Sequence, residues 1–142
     1  MCDDYEHGGY YSTKLPEYWS SGASCVDLES TIEKTIEPME IVAIPTGLAM
    51  EIPEGFEGQV RSRSGMVLSR GLAVANAPGT IDSDYRGEIK VILINLSGRT
   101  KKIDRGDRIA QLAICRVEQV EFEDGYISET ERGEGGFGST GL

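Results

Sequence analysis

The side chains best able to do acid–base chemistry lie in one segment, residues 76–88, which reads Asn-Ala-Pro-Gly-Thr-Ile-Asp-Ser-Asp-Tyr-Arg-Gly-Glu. The chain has a single histidine, His7, which excludes a Ser-His-Asp or Cys-His mechanism unless His7 itself serves. Any catalysis must therefore use carboxylates, hydroxyls, amides and a hard cation. Because Asn-x-Pro-Gly between two apolar segments is also an ordinary hairpin turn, this segment alone leaves a purely structural interpretation open.

A second segment, residues 61–65, reads Arg-Ser-Arg-Ser-Gly and carries donors that suit phosphate oxygens. Arginine offers a planar fork of N–H donors, serine offers a hydroxyl, and Gly65 allows a backbone amide to approach an anion closely. Taken alone, the same residues are equally consistent with a capped helix start beside solvated arginines.

The third segment is the Gly-rich C-terminus, residues 131–142. It is not a P-loop, because it lacks the Gly-Lys-Ser/Thr ending and has no chain left to form the helix that follows one. Phe137, placed after Arg132 and before Ser139, offers an aromatic face that could stack on a base while the arginine and hydroxyls reach phosphates. A disordered tail is the alternative that this composition leaves open.

The elements that must position these segments are short, apolar and separated by Gly, Pro or Asp, which is typical of an all-β fold. A short helix is expected at residues 64–70, with Ser64 as its cap and Gly71 as its end. Residues 1–13 are polar and without period, which indicates a flexible leader. Strands are predicted at residues 39–44, 48–52, 58–63, 72–76, 88–96, 101–103, 110–117 and 120–123.

Composition bounds the classes of function further. The chain of 142 residues is expected to form one domain, and its net charge of −10, with scattered Lys and Arg, argues against nucleic acid as a partner. No apolar run approaches the length of a membrane span and no signal peptide is evident, so we expect a cytoplasmic protein. Cys2, Cys25 and Cys115 lack the spacing of a zinc site and are expected to be reduced thiols.

The order of these segments resembles the trimeric dUTP pyrophosphatase (dUTPase) family at all five of its motifs, over about residues 14–142. The motifs correspond to residues 24–28, 63–65, 79–87, 106–112 and 132–141. The resemblance implies a jelly-roll-like β-barrel over residues 14–130 in a homotrimer. It also implies that residues 131–142 form a flexible arm, supplied by a neighbouring subunit, that closes over the active site.

By the same resemblance, the expected reaction is the hydrolysis of dUTP to dUMP and pyrophosphate. Asp82 would be the general base that activates water for attack on the α-phosphorus, and Tyr85 would pack under the sugar and reject a 2′-hydroxyl. Asn76 and the hairpin backbone would select uracil. The implied substrate-binding residues are Arg63, Ser64, Gly65, Asn76, Gly79, Thr80, Ile81, Asp82, Tyr85, Lys90, Gln111, Arg132, Phe137, Gly138 and Ser139.

The cofactor implied by the resemblance is Mg²⁺, with Asp27 holding the ion through its water shell rather than directly. Mg²⁺ commonly keeps several waters and takes its direct ligands from substrate phosphates. A site without histidine can therefore still use a metal.

Two other functions stay open at this stage. A dCTP deaminase of the same fold would place a glutamate on the strand after the hairpin, where this chain has Ile92. A regulatory protein would use the same barrel to bind another protein, with the nucleotide acting only as a switch. Assays of pyrophosphate release, ammonia release and nucleotide-dependent partner binding distinguish the three functions.

Overall fold

The structure is a computed structural model that describes residues 15–137 and residue 139. Strands account for almost all of its regular structure, so the all-β prediction is confirmed; the predicted leader, residues 1–13, lies outside the described residues. None of the described helices is long and apolar enough to cross a membrane. The elements are β1 (Val26–Glu29), β2 (Lys34–Ile36), β3 (Ile41–Leu48), β4 (Phe56–Arg61), α1 (Ser64–Arg70), β5 (Leu72–Val74), β6 (Gly79–Ile81), β7 (Ile89–Asn95), β8 (Lys101–Ile103) and β9 (Arg108–Arg116).

The strands pair antiparallel in three sheets, and one of these sheets organises most of the predicted site. Its strand order is β1-β9-β4-β6, so β9 lies between two strands that are far apart in sequence. The other sheets have the orders β3-β7-β5 and β2-β8. In the first sheet, Gln111 of β9 faces Asp27 of β1 on one side and Arg61 of β4 on the other.

The hydrophobic core is built from strands whose successive side chains alternate between buried and exposed positions. In β7, Ile89, Val91 and Leu93 are buried, whereas Lys90 and Ile92 between them point away from the core. Each buried aliphatic side chain contributes roughly 1.5–3 kcal/mol by leaving water. The alternation therefore fixes which side chains of β7 remain available to a ligand.

Two strand predictions were wrong, each for an identifiable physical reason. β3 runs from Ile41 to Leu48 through Pro45, where separate strands at 39–44 and 48–52 were expected. Its ladder continues across a register shift between Pro45 and Leu48, where Gly47 adopts a positive φ of 67°. No strand forms at residues 120–123, which are exposed and have no pairing partner in the described part of the chain.

The helix α1 has the predicted bounds, but its cap differs from the prediction. Arg63, in an extended conformation, is the N-cap residue, and Ser64 is the first residue within the helix. No side chain caps the N-terminus. At the other end Gly71 adopts the left-handed conformation expected of a helix stop, with φ 69°, and its N–H donates to the Val67 carbonyl at 3.0 Å.

An ion pair ties the end of α1 to the turn between β8 and β9. The Arg70 guanidinium lies 2.6 Å from a carboxylate oxygen of Asp107, and the same oxygen accepts from the Asp104 amide at 3.1 Å. Partial burial raises the pKa of Asp107, but the hydrogen bonds from Arg70 and Asp104 and the nearby positive charges outweigh it and lower the pKa below its usual value. The charged form of Asp107 is thus favoured by folding.

Because the folded-state pKa of Asp107 is lowered, its stabilising contribution is present above the unfolded-state pKa, near 3.8. That contribution is lost as the pH falls through the folded-state pKa. We expect Asp107→Asn to lower the free energy of unfolding by about 1 kcal/mol at pH 7, since a partly exposed charged hydrogen bond is removed. The difference should shrink below pH 4.

Urea unfolding at pH 7 and pH 3, at fixed protomer concentration, measures this effect. Asp124→Asn, which changes an exposed carboxylate in the segment after β9, is the matched control and should leave stability unchanged. A loss for Asp107→Asn that is equally large at both pH values would show that the charge of Asp107 does not stabilise the fold.

Candidate active site

A carboxylate held between two arginines forms the first part of the site. Asp27 of β1 lies 2.8 Å from Nε of Arg63 through one carboxylate oxygen and 3.2 Å from Nη1 of Arg108 through the other. Arg63 also donates from Nη1 to the Arg108 carbonyl at 2.9 Å. We call Asp27, Arg63, Ser64, Gly65, Arg108 and Gln111 the arginine patch.

The patch exists because β9 pairs with β1 and β4 at the same point. Gln111 lies opposite both Asp27 and Arg61, and its Nε2 donates to the Ser62 carbonyl at 2.9 Å. The Ser62 hydroxyl accepts from the Val74 amide at 2.9 Å, so the connection from β4 to α1 is held on two sides. The predicted segments around Asp27, Ser64 and Gln111 are thereby brought together.

This connection presents the first turn of α1 to solvent. Ser64 and Gly65 are exposed, and amides of a first helical turn have no acceptor within the helix. A Cβ placed on Gly65 would meet no atom within 4 Å, so the space beside its Cα is open. The patch therefore offers two guanidinium groups, a hydroxyl and free amides in one place, which suits phosphate oxygens.

The second part of the site is a pocket of about 330 Å³ beside the turn between β5 and β6. The sequence predicted a hairpin here, but β5 pairs with β7 and β6 pairs with β4, so the turn connects two different sheets. We call this cavity the hairpin pocket after that predicted turn. The predicted uracil- and sugar-contacting residues of segment 76–85 line it, whereas Phe137, which was also expected to contact the uracil, and the residues of the arginine patch do not. A Cβ on Gly79 would lie 3.1 Å from Nδ2 of Asn76, so glycine at this position leaves room for the amide side chain. The pocket is lined by Ala43, Val60, Asn76, Gly79, Thr80, Ile81, Asp82, Tyr85, Glu88, Ile89, Lys90 and Ile92.

Asp82 and Tyr85 are joined by a turn at the mouth of this pocket. The Tyr85 amide donates to the Asp82 carbonyl at 3.1 Å, and the Tyr85 hydroxyl donates to the Glu88 carbonyl at 3.0 Å. Asp82 is exposed, and within the described residues no hydrogen bond or ion pair occupies its carboxylate. This carboxylate is available to a water molecule or a substrate.

The third part, residues 131–137 and 139, does not join the other two in the described chain. Arg132 donates from Nε to the Gly135 carbonyl at 2.8 Å, and the Ser139 amide donates to the Gly136 carbonyl at 3.0 Å. Phe137 is fully exposed. Gly138, which the resemblance also includes, lies outside the described residues. One chain therefore holds the predicted site residues in three separate groups.

The residues present fit a magnesium ion held mainly by substrate rather than by protein. Among the described residues, no cluster of three or more His, Cys, Asp or Glu side chains could form a protein cage for a metal. Each Asp27 oxygen faces one guanidinium, which disfavours a direct bond to a divalent cation. Because a carboxylate has about four acceptor positions, it can still accept from metal-bound water.

Sequence reasoning did not assign a role to Arg108. This residue completes the pair with Asp27, and its guanidinium lies 5.0 Å from the centroid of the Trp19 ring. Arg108 is the first residue of β9, and its position in the 106–112 segment gave no signal of its own. Only the pairing of β1 with β9 reveals that Arg108 and Asp27 are neighbours.

Comparison with known proteins shows which family this chain resembles. Deoxyuridine 5′-triphosphate nucleotidohydrolase from Hydrogenobaculum sp. (strain Y04AAS1) is 54% identical over 130 residues, which cover 90% of each chain. The enzyme of the same name from Neorickettsia sennetsu is 52% identical over 133 residues, covering 90% of this chain and 88% of the relative. The dUTPase family model matches residues 12–141.

Solved structures agree with the sequence relatives. The Staphylococcus bacteriophage 80alpha dUTPase with dUPNHPP superposes with a TM-score of 0.82 at 28% identity, covering 91% of this chain and 92% of that one. A mutant dUTPase from phage phi11 of S. aureus, described with a structural Mg(II) ion, has a TM-score of 0.76 at 25% identity, covering 86% and 95%.

The strand arrangement, together with the solved dUTPase structures that it matches, defines a jelly-roll-like nucleotide hydrolase. Within that class, the match over most of the chain and the identities above 50% show that this chain belongs to the dUTPase family. The resemblance inferred from the five motifs and the predicted jelly-roll-like fold are thereby confirmed.

The Asp27 carboxylate of the arginine patch should contribute to the stability of the fold. Replacing Asp27 by Ala leaves the Arg63 and Arg108 guanidinium groups close together without their shared anion. We expect this substitution to lower the free energy of unfolding by about 1–3 kcal/mol, because the half-buried pair loses a charge-assisted hydrogen bond at each oxygen.

Urea unfolding at fixed protomer concentration measures the loss. Glu51→Ala, which removes an exposed partner of Arg86 at 3.3 Å, is the control and should change stability by less than about 0.5 kcal/mol. Equal effects of the two substitutions would mean that the Asp27 pairs contribute no more than an ordinary surface contact.

Proposed function

We propose that this dUTPase-family chain hydrolyses dUTP to dUMP and pyrophosphate by attack of water on the α-phosphorus, with Asp82 as the general base. The observation that carries the proposal is the hairpin pocket, where Asn76, Asp82 and Tyr85 line one cavity. The reaction would keep uracil out of DNA and supply dUMP for thymidylate synthesis. The products of the reaction and its selectivity among nucleotides can both be measured.

Asp82 suits the role of base by its environment. Its carboxylate is exposed at the pocket and has no competing partner in the described chain, so it can accept a proton from a water molecule within hydrogen-bond reach. Asp84, two residues further, does not line the pocket. The arrangement thus distinguishes one carboxylate of the turn from the other.

The pocket also suits selection of the base and the sugar. The Asn76 amide and the backbone of residues 79–81 offer donors and acceptors to one face of a pyrimidine. A site built on such hydrogen bonds discriminates strongly against a base with the donor and acceptor exchanged, because polar groups would be left unpaired. The Tyr85 ring would exclude a 2′-hydroxyl by contact with the sugar, and Lys90 adds a cation to the pocket wall.

The arginine patch suits the triphosphate. Arg63, Ser64, Gly65 and Gln111 would hold the phosphate chain through guanidinium, hydroxyl, amide and backbone donors. Asp27 would accept hydrogen bonds from the water shell of Mg²⁺. When bound, the ion would screen the phosphate charge and orient the phosphate chain for attack.

The separation of the three groups of residues supports a site shared between subunits. The arginine patch does not line the hairpin pocket of its own chain, and no described arm residue lines that pocket or is hydrogen-bonded to the patch. This arrangement supports a site completed by other copies of the chain. We therefore propose a homotrimer in which the arm, residues 131–142, closes over a site on a neighbouring subunit. Arg132 would approach the γ-phosphate, and Phe137, with Gly138 and Ser139 beside it, would lie over the uracil.

The competing deaminase reaction lacks its proton carrier in this pocket. Ile92, at the position where the resemblance places the deaminase glutamate, is one of the residues lining the cavity. Glu88, the acidic residue that immediately precedes β7, accepts a hydrogen bond from the Gly47 amide at 2.8 Å, so its carboxylate already has a partner in the fold.

Asp82→Asn tests the role of the base. We expect turnover of dUTP to fall by about 10²-fold or more, while dUTP binding stays near that of the wild type, because the amide keeps the shape but cannot accept the proton. The measurements are pyrophosphate release from dUTP, dCTP, dTTP and UTP with Mg²⁺ and with chelator, and binding of a non-hydrolysable analogue by calorimetry.

Asp84→Asn is the matched control and should keep nearly full activity. Near-normal turnover of Asp82→Asn would remove Asp82 from the role of base. Ammonia release from dCTP would indicate the deaminase, and no reaction with any of the four nucleotides would indicate a regulatory binding protein.

Complementation tests the shared site directly. A chain truncated before Arg132 and the Asp82→Asn chain should each be nearly inactive as homotrimers. Mixed trimers, formed by refolding the two together, should regain activity, because one subunit supplies an intact arm to another subunit's intact Asp82.

The assembly state of each variant is checked by analytical ultracentrifugation. Activity of mixed trimers no greater than the sum of the two parents would mean that the arm serves the site of its own chain. A stable, active monomer would exclude shared sites altogether.

A further inference from the structure

Tyr85 lies directly against Gly87 two residues later. A Cβ placed on Gly87 would be 2.6 Å from Cζ and 3.0 Å from Cε2 of the Tyr85 ring, and closer still to its hydroxyl oxygen. Side-chain carbons do not approach this closely, so any other residue at position 87 would displace the ring. The tyrosine therefore occupies the space that a side chain on residue 87 would need.

The need for glycine here is steric rather than conformational. Gly87 is not among the described glycines with a positive φ, which are Gly47, Gly55, Gly71, Gly106 and Gly133. Alanine would therefore fit the backbone at this position, and the ring is the obstacle. This separates Gly87 from the ordinary turn glycines of the chain.

The ring cannot move without breaking the hydrogen bond of its hydroxyl, and the residue that accepts this bond is itself held by neighbouring hydrogen bonds. The Tyr85 hydroxyl donates to the Glu88 carbonyl at 3.0 Å, and the Glu88 carboxylate accepts from the Gly47 amide at 2.8 Å. The next carbonyl, that of the buried Ile89, accepts from the Thr46 hydroxyl at 2.6 Å. The acceptor for the tyrosine is thus tied to β3.

We propose that Gly87 and the Glu88 carboxylate are positioning residues that set the discrimination between deoxyribose and ribose. Gly87 leaves the space in which the Tyr85 ring lies, and Glu88 fixes the carbonyl that holds its hydroxyl. Both act through Tyr85, whose ring forms part of the wall of the hairpin pocket. The inference rests on the proposed function, in which this ring contacts the sugar.

Gly87→Ala is the first test. The ratio of kcat/KM for dUTP to that for UTP should narrow by about tenfold or more, since displacing a contacting group by one methyl is worth about 10–200-fold in selectivity. The kcat/KM for dUTP itself should also fall. Gly98→Ala is the matched control, because a Cβ there would meet no atom within 4 Å, and its ratio should equal that of the wild type.

A double-mutant cycle shows whether Gly87 acts through the ring. Tyr85→Ala should narrow the dUTP/UTP ratio by itself. In that background, adding Gly87→Ala should change the ratio by less than about twofold, because no ring remains to be displaced. Independent, multiplicative effects of the two substitutions would overturn the inference.

Glu88 provides a test that does not crowd the turn. Glu88→Ala removes the acceptor of the Gly47 amide and should narrow the ratio, whereas Glu88→Gln keeps a carbonyl oxygen for that amide and should restore it. If Gly87→Ala does not fold, as judged by circular dichroism, this pair decides the matter. Identical ratios in Glu88→Ala and the wild type would then overturn the inference.

The outcomes separate this inference from the proposed function. A wild-type enzyme that does not prefer dUTP to UTP, or a Tyr85→Ala variant with an unchanged ratio, would contradict the role of Tyr85 itself. A ratio that narrows in Tyr85→Ala but is unchanged in Gly87→Ala would overturn the role of Gly87 alone.

Discussion

The pairing of β9 with β1 on one side and β4 on the other is the constraint on which the site depends. It sets Gln111 opposite both Asp27 and Arg61, and it brings Arg108 to the Asp27 carboxylate. Residues more than 80 positions apart thereby form one cluster, and the backbone ladder holds them at fixed spacing. Hydrogen bonds within the sheet are mutually supporting, so this geometry is more rigid than side-chain contacts alone would make it.

The hairpin pocket is built on a different principle. Part of its wall comes from the outward face of β7, where Lys90 and Ile92 are oriented by the buried Val91 and Leu93 of the same strand. The core residues Val60 and Ile89 form another part of the wall. In the proposed function the two regions would divide the recognition of a nucleotide. One presents donors suited to phosphate, and the other presents a shaped cavity suited to base and sugar.

The sequence was sufficient for what depends on local pattern. The apolar segment 88–96, bounded by turn residues, predicted β7 to within a residue at each end, and Gly71 predicted the end of α1. It was insufficient where tertiary pairing overrides local signals: β3 continues through Pro45. The strands β1, β2 and β6 were missed although β5 and β8, which are equally short, were predicted; the missed strands are defined by their pairing with β9, β8 and β4. The motifs identified the candidate residues. Only the three-dimensional structure shows that Arg108 and Arg63 both pair with Asp27, and that the Tyr85 ring lies against Gly87.

The arginine patch also has an electrostatic consequence. Its two guanidinium groups and one carboxylate give it a net positive charge, whereas the whole chain has a formal net charge of −10. At physiological ionic strength charges are screened beyond about 8 Å. An anion is therefore attracted by the patch itself only over the last few ångströms, and at longer range, where the salt is dilute, it would meet the net negative charge of the chain. Binding of a polyanion at this patch would accordingly depend on ionic strength in two opposing ways.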